Sequence, residues 1–136
     1  MSFQPCRREV IGLGAGLAAA TVLAACSSSE ESAPEQGFVI AETSEVPEGE
    51  AIAALVGDVP VILTHTPGGK FRAFSAICPH QGCNVLPPKQ DDPETLECPC
   101  HRSRFETYTG EVLNGPAAED LTEIPVQVED GKVVTA

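Results

Sequence analysis

Positive charge is scarce in this 136-residue chain. Lys and Arg number 8 against 20 Asp and Glu, a formal net charge of −12. An acidic surface repels a phosphate backbone, which argues against nucleic acid as a partner; the acidity otherwise favours solubility. Trp is absent too, which by itself excludes no fold. Beyond residue 25 there is no long apolar run. The one run present, Val10 to Ala25, is about sixteen residues, short of the roughly twenty that span a bilayer. No Ser-His-Asp arrangement or substrate-pocket motif stands out, and no repeat is visible beyond two short Cys/His boxes. What remains is long enough for one domain, with twelve Gly and twelve Pro that imply many turns and short strands.

The N-terminal run has the layout of an export signal. Arg7-Arg8 form a positive start, Val10 to Ala25 an apolar centre, and Leu23-Ala24-Ala25-Cys26 the end. That end resembles the lipobox of bacterial lipoproteins, in which cleavage precedes the cysteine and the cysteine is lipidated. Cys6-Arg7-Arg8-Glu9-Val10-Ile11 partly resembles the twin-arginine signal, without its preceding Ser and following Phe-Leu. Residues 1–25 are therefore expected to be a twin-arginine-like lipoprotein signal, with Cys26 as the lipidation site. The alternative is an uncleaved signal anchor. Both place the rest of the chain outside the cytoplasm at a membrane surface. Ser27 to Gly37 is rich in Ser, Glu and Pro without apolar periodicity, so 26–37 is expected to be a flexible tether.

From Phe38 onward the pattern is one of short strands. Phe38-Ala41 and Ala51-Val56 are apolar, and Glu42 to Glu50 between them is polar. Pro60-Thr66 and Lys70-Ser75 flank Pro67-Gly68-Gly69 and read as a hairpin. Thr95-Glu97, Phe105-Tyr108 and Glu111-Leu113 follow, and Leu121-Val128 with Lys132-Thr135 reads as a closing hairpin across Glu129-Asp130-Gly131. The expectation is an all-β antiparallel domain over residues 38–136.

Four of the six cysteines and two of the three histidines lie in the two boxes. The first is Cys78-Pro79-His80-Gln81-Gly82-Cys83; fourteen residues later comes Cys98-Pro99-Cys100-His101-Arg102-Ser103-Arg104-Phe105. Thiolates and imidazoles are metal ligands, and their clustering is hard to explain by packing. On residue types alone a zinc site of Cys78, His80, Cys98 and His101 stays open, although it leaves Cys83 and Cys100 unexplained.

The two boxes, Cys-x-His-x-x-Cys and Cys-x-Cys-His-x-Ser, resemble the Rieske iron–sulfur family, over about Ala73 to Ala117. The resemblance implies a small antiparallel β-sandwich with two cluster-binding loops. It implies that Cys78 and Cys98 ligate one iron of a [2Fe–2S] cluster, that His80 and His101 ligate the other, and that Cys83 and Cys100 form a disulfide. It further implies a hydroxyl from Ser103 to a bridging sulfide, and a covering Gly115-Pro116 loop after Gly110. Phe105 stands where quinol-oxidising members carry a tyrosine that donates to a ligand sulfur, and Arg102 stands where glycine is usual. The missing donor implies a lower potential than in those members. Tyr108, three residues on, is not expected to substitute.

The function implied is a membrane-tethered, extracytoplasmic electron carrier whose partner is a redox protein or a membrane oxidoreductase complex. Alternatives are the iron–sulfur subunit of a quinol–cytochrome c reductase or of an arsenite-oxidase-like complex. An oxygenase-type Rieske ferredoxin is disfavoured by the second cysteine in each box and by the export signal, and a zinc-stabilised interaction module is a further alternative. Lys70, Arg72, Lys89, Arg102 and Arg104 fall near the boxes in sequence, which suggests a positive collar on an acidic body. His65, outside both boxes, is expected to be a strand surface residue.

Overall fold

A computed structural model describes residues 36–136. The expected signal, Cys26 and nearly all of the tether lie outside the described residues. Among the described residues no helix is long and apolar enough to cross a membrane.

The domain is all-β and antiparallel, as expected. Ten short strands follow in order: β1 (Val39–Glu42), β2 (Ala51–Val56), β3 (Val59–His65), β4 (Phe71–Ser75), β5 (Thr95–Glu97), β6 (Arg104–Glu106), β7 (Val112–Asn114), β8 (Glu123–Ile124), β9 (Val126–Glu129) and β10 (Lys132–Thr135). They form three sheets, ordered β1-β10-β9, β2-β3-β4-β8 and β5-β6-β7.

The middle sheet holds the others together because both its faces are buried. Val61 and Leu63 of β3 and Ala73 of β4 pack with Ala41 of β1, Ile124 of β8 and Val133 of β10. Ile62 of β3 and Phe74 of β4 face the other way and pack with Leu96, Phe105, Val85, Cys78 and Cys98. The period of two in a strand produces this split, and the apolar residues at successive positions mark a strand covered on both sides.

The expected hairpin of β3 and β4 forms around Pro67-Gly68-Gly69, with Thr64 opposite Arg72 and Val61 opposite Ser75. Two features depart from expectation. The segment read as one strand from Leu121 to Val128 is two strands parted at Pro125, and they belong to different sheets. Proline supplies no ladder N–H, so the strand is interrupted there. The polar stretch from Glu42 to Glu50 contains a 3-10 turn at Thr43–Glu45 and the fully buried Val46, which fills the second core.

Candidate metal centre

The two boxes fold into the same turn. In the first, the N–H of Gly82 donates to the Cys78 carbonyl at 2.9 Å, and the N–H of Cys78 donates to the Cys83 carbonyl at 2.8 Å. In the second, the N–H of Arg102 donates to the Cys98 carbonyl at 2.9 Å, and the N–H of Cys98 donates to the Ser103 carbonyl at 2.9 Å. The fifth residue of each turn is left-handed: Gly82 at φ 76° and Arg102 at φ 62°. Gly82 and Arg102 are therefore equivalent positions. The side chains are not in the same places, however: the histidine is third in the first turn (His80) and fourth in the second (His101).

Each turn is closed at its base by a β-type backbone pairing. Ile77 bridges Asn84 at the base of the first, and Glu97 pairs with Arg104 at the base of the second. Leu86 bridges Glu97, which ties the two loops side by side. The Cys83–Cys100 disulfide links them again, with Cα atoms 6.4 Å apart. The sulfurs of Cys83, Cys98 and Cys100 lie within 4.8 Å of one another, but two of these three are consumed by the bridge and only Cys98 keeps a thiol.

Cys78 and Cys98 are free and buried. Burial pushes the Cys98 thiol above its usual range, and the neighbouring Cys78 thiol adds to the rise. Backbone hydrogen bonds at Cys100 and His101 pull the other way, toward the thiolate. His80 and His101 meet edge to face with ring centroids 4.8 Å apart. His80 Nδ1 is buried without a hydrogen-bond partner, whereas the His101 side is exposed. A buried imidazole nitrogen that nothing satisfies costs on the order of 1–3 kcal/mol, and coordination to a metal removes that cost. Two buried thiols, an orphaned imidazole nitrogen and a second imidazole at one end of a domain are donors that fit an iron–sulfur cluster.

The supporting residues sit around this end. Ser103 is fully buried and its Oγ accepts the N–H of Ala117 at 2.9 Å, which leaves its hydroxyl proton to be donated. Phe105 is fully buried in the core that contains Cys78 and Cys98. Tyr108 donates its hydroxyl to the Gly49 carbonyl at 3.0 Å, so it is committed elsewhere. Gly110, at φ 74°, has no room for a side chain: a Cβ there would stand 2.8 Å from the Phe74 ring. Gly115 and Pro116 are exposed, and a Cβ at Gly115 meets only ordinary contacts, the nearest at 3.6 Å.

The positive collar does not form as a whole. Arg72 pairs with Glu123 at 2.8 Å, Arg104 with Asp92, and Lys89 with Glu97 at 3.9 Å. His65 lies in a strand, as expected, but its ring is engaged. It is half-buried, hydrogen-bonded through Nδ1 to the Val46 carbonyl at 2.8 Å and stacked on Phe71 at 4.0 Å.

Comparison with known proteins shows the family. The chain matches the Rieske [2Fe-2S] domain family over residues 36–125. It is 38% identical over 90 residues to the 3-phenylpropionate/cinnamic acid dioxygenase ferredoxin subunit of Escherichia coli K12, covering 66% of this chain and 83% of that one. It is 34% identical over 99 residues to the cytochrome b6-f complex iron-sulfur subunit of Chlorobaculum tepidum, covering 73% of this chain and 52% of that one. The crystal structure of the plasma membrane Rieske protein of the cyanobacterium Synechocystis PCC 6803 superposes with a TM-score of 0.58 at 26% identity, covering 75% of this chain and 98% of that one. With its all-β fold and paired Cys/His turns, the chain belongs to the Rieske [2Fe-2S] family, and its domain binds a [2Fe–2S] cluster and transfers electrons.

Proposed function

We propose that this protein is a membrane-tethered, extracytoplasmic electron carrier, with Cys78 and Cys98 holding the buried iron and His80 and His101 the outer one. The observation that carries the reading is the pairing of like turns. They bring two buried free thiols and two imidazoles to one end, while the other two cysteines of the boxes are spent on a bridge.

The chain's own residues have distinct tasks. The Cys83–Cys100 bridge and the Leu86–Glu97 contact hold the two ligand loops in register. The backbone N–H groups of Cys100 and His101 partly offset the burial that raises the Cys98 thiol. Ser103, fixed by Ala117, presents its hydroxyl proton at the same end. Phe105 excludes water without offering a donor to sulfur. The bound cluster supplies one-electron chemistry, with potentials for histidine-ligated centres of about −150 to +300 mV. His101, exposed at the tip, is the exit toward a partner.

The tether and the lipid at Cys26 are supported by the signal pattern of residues 1–26. A disulfide in the cluster loops is consistent with an oxidising compartment. Expression of the full chain and of Cys26→Ser, followed by fractionation, tests this. The parent should pellet with membranes and incorporate labelled fatty acid; the variant should do neither. Equal membrane recovery and no label in either would remove the lipid anchor.

A second reading, delivery of electrons to an oxygenase, is favoured by the 38% identity to a dioxygenase ferredoxin subunit. The Cys83–Cys100 bridge favours the first reading.

A further inference from the structure

In this acidic protein the two ligand turns and the Asn114-Gly115-Pro116 loop contain no acidic residue. Residues 76–88, 98–105 and 112–118 contain no Asp or Glu, although acids outnumber bases 20 to 8 in the chain. These stretches include the two turns and the Asn114-Gly115-Pro116 loop, and the pairing of Arg104 with both Glu97 and Asn114 puts the second turn and that loop at one end. Two acids adjoin the second turn, and both are engaged by bases: Glu97 is flanked by Lys89 at 3.9 Å and by Arg104 on the paired strand, and Asp92 is paired with Arg104.

Six basic residues fall in the described region. Arg72, Lys89 and Arg104 are ion-paired. Lys70 precedes β4, at the strand's other end from the first turn, and Lys132 lies in the β9–β10 hairpin. Among the described residues, Arg102 is thus the one basic side chain at the cluster end without an acidic partner. It is exposed and follows His101 directly. Its backbone is left-handed, a strained conformation for a non-glycine residue and one left to glycine in the equivalent turn.

Resting on the electron-carrier reading, we infer that Arg102 is the docking charge of the cluster end, and that the redox partner meets it with an acidic face. The repulsion an anionic partner meets from the acidic body falls off over a Debye length of about 8 Å at physiological salt, so the local charge beside His101 decides the final approach.

Small redox ions of opposite charge test this without the partner. The cluster-loaded full chain is reduced with dithionite, freed of excess reductant, and mixed with ferricyanide, which takes one electron and becomes ferrocyanide. The expected rate falls as salt is added, despite the net charge of the protein. Arg102→Glu should slow it about threefold to tenfold at low salt, with the difference vanishing at high salt, while Arg102→Lys should retain the parent rate. The trication tris(phenanthroline)cobalt(III) should show the opposite order. Independently of electron transfer, the redox-inert trianion hexacyanochromate(III) should broaden amide NMR signals around residues 99–104 in the parent and not in Arg102→Glu. A ferricyanide rate that rises with salt and ignores residue 102, or broadening centred on Lys70 or Lys132, overturns the inference and leaves the carrier reading standing. A chain with no reducible cluster overturns both, and is recognised before any probe is added.

Discussion

The two ligand turns share a backbone and differ in chemistry. Each closes with the same two hydrogen bonds and a left-handed fifth residue. The first turn meets that backbone demand with Gly82; the second meets it with Arg102. The first places its histidine third, with Nδ1 buried and unsatisfied, and the second places its histidine fourth and exposed. The first turn's closing residue is the bridged Cys83, and the second's is the buried Ser103. A single backbone device thus supplies the frame, and a one-position offset of the side chains makes the two halves of the site unlike. The difference teaches that the frame is set by main-chain bonding, whereas the site's asymmetry is set by which side chain occupies each slot.

Removing a thiol should be the most damaging change and should strike both turns alike. Cys78→Ala and Cys98→Ala are each expected to abolish iron and acid-labile sulfide in the purified protein. Survival of a full cluster in either one would break the equivalence of the turns. Unlinking them comes next. The double variant Cys83→Ala/Cys100→Ala opens a link between residues 17 apart, and loss of such a link costs about 3 kcal/mol. Denaturant melts should show that loss, together with faster loss of visible absorbance; an unchanged midpoint would show that strand pairing alone holds the loops.

The glycine slot offers a smaller and more specific comparison. Arg102→Gly should relieve about 1–2 kcal/mol of left-handed strain, offset by about 0.5–1 kcal/mol of added chain entropy, for a net gain near 0.5–1 kcal/mol. Gly82→Ala should lose a similar amount, because no atom lies within 4 Å of the added Cβ and only the backbone opposes it. Equal stability of Arg102→Gly and parent, measured by thermal melts, would mean that the two slots are not equivalent. The finest test is electronic. Phe105→Tyr places a donor in the core shared with Cys78 and Cys98. A hydrogen bond to sulfur stabilises the reduced state, and for one electron about 59 mV corresponds to a tenfold change in the equilibrium constant, so a rise of tens of millivolts is expected in voltammetry. No change would remove Phe105 from the account of the potential.

Much of this was legible from residue types. Pro67-Gly68-Gly69 announced the β3–β4 hairpin because few other residues make so tight a turn, and the two boxes announced the donor atoms. The like turns were not legible. Gly82 signals a left-handed residue and the family resemblance marks Arg102 as standing where glycine is usual, but the match of the two turns emerges only from the hydrogen bonds. Val46 was hidden in a polar stretch because a single apolar residue has no periodicity to report. The break at Pro125 had a visible cause, yet the change of sheet across it depends on long-range pairing of β8 with β4. Basic residues near the boxes in sequence suggested a collar, and only the ion pairs separate the committed ones from Arg102.

The most direct measurement is EPR of the dithionite-reduced full chain with nitrogen couplings resolved, in protein grown with labelled histidine. The account predicts a single reduced [2Fe–2S] centre with couplings from two histidine nitrogens, which disappear as a cluster signal in either Cys78→Ala or Cys98→Ala. A reduced cluster with no histidine coupling, or a colourless protein holding zinc, would contradict it.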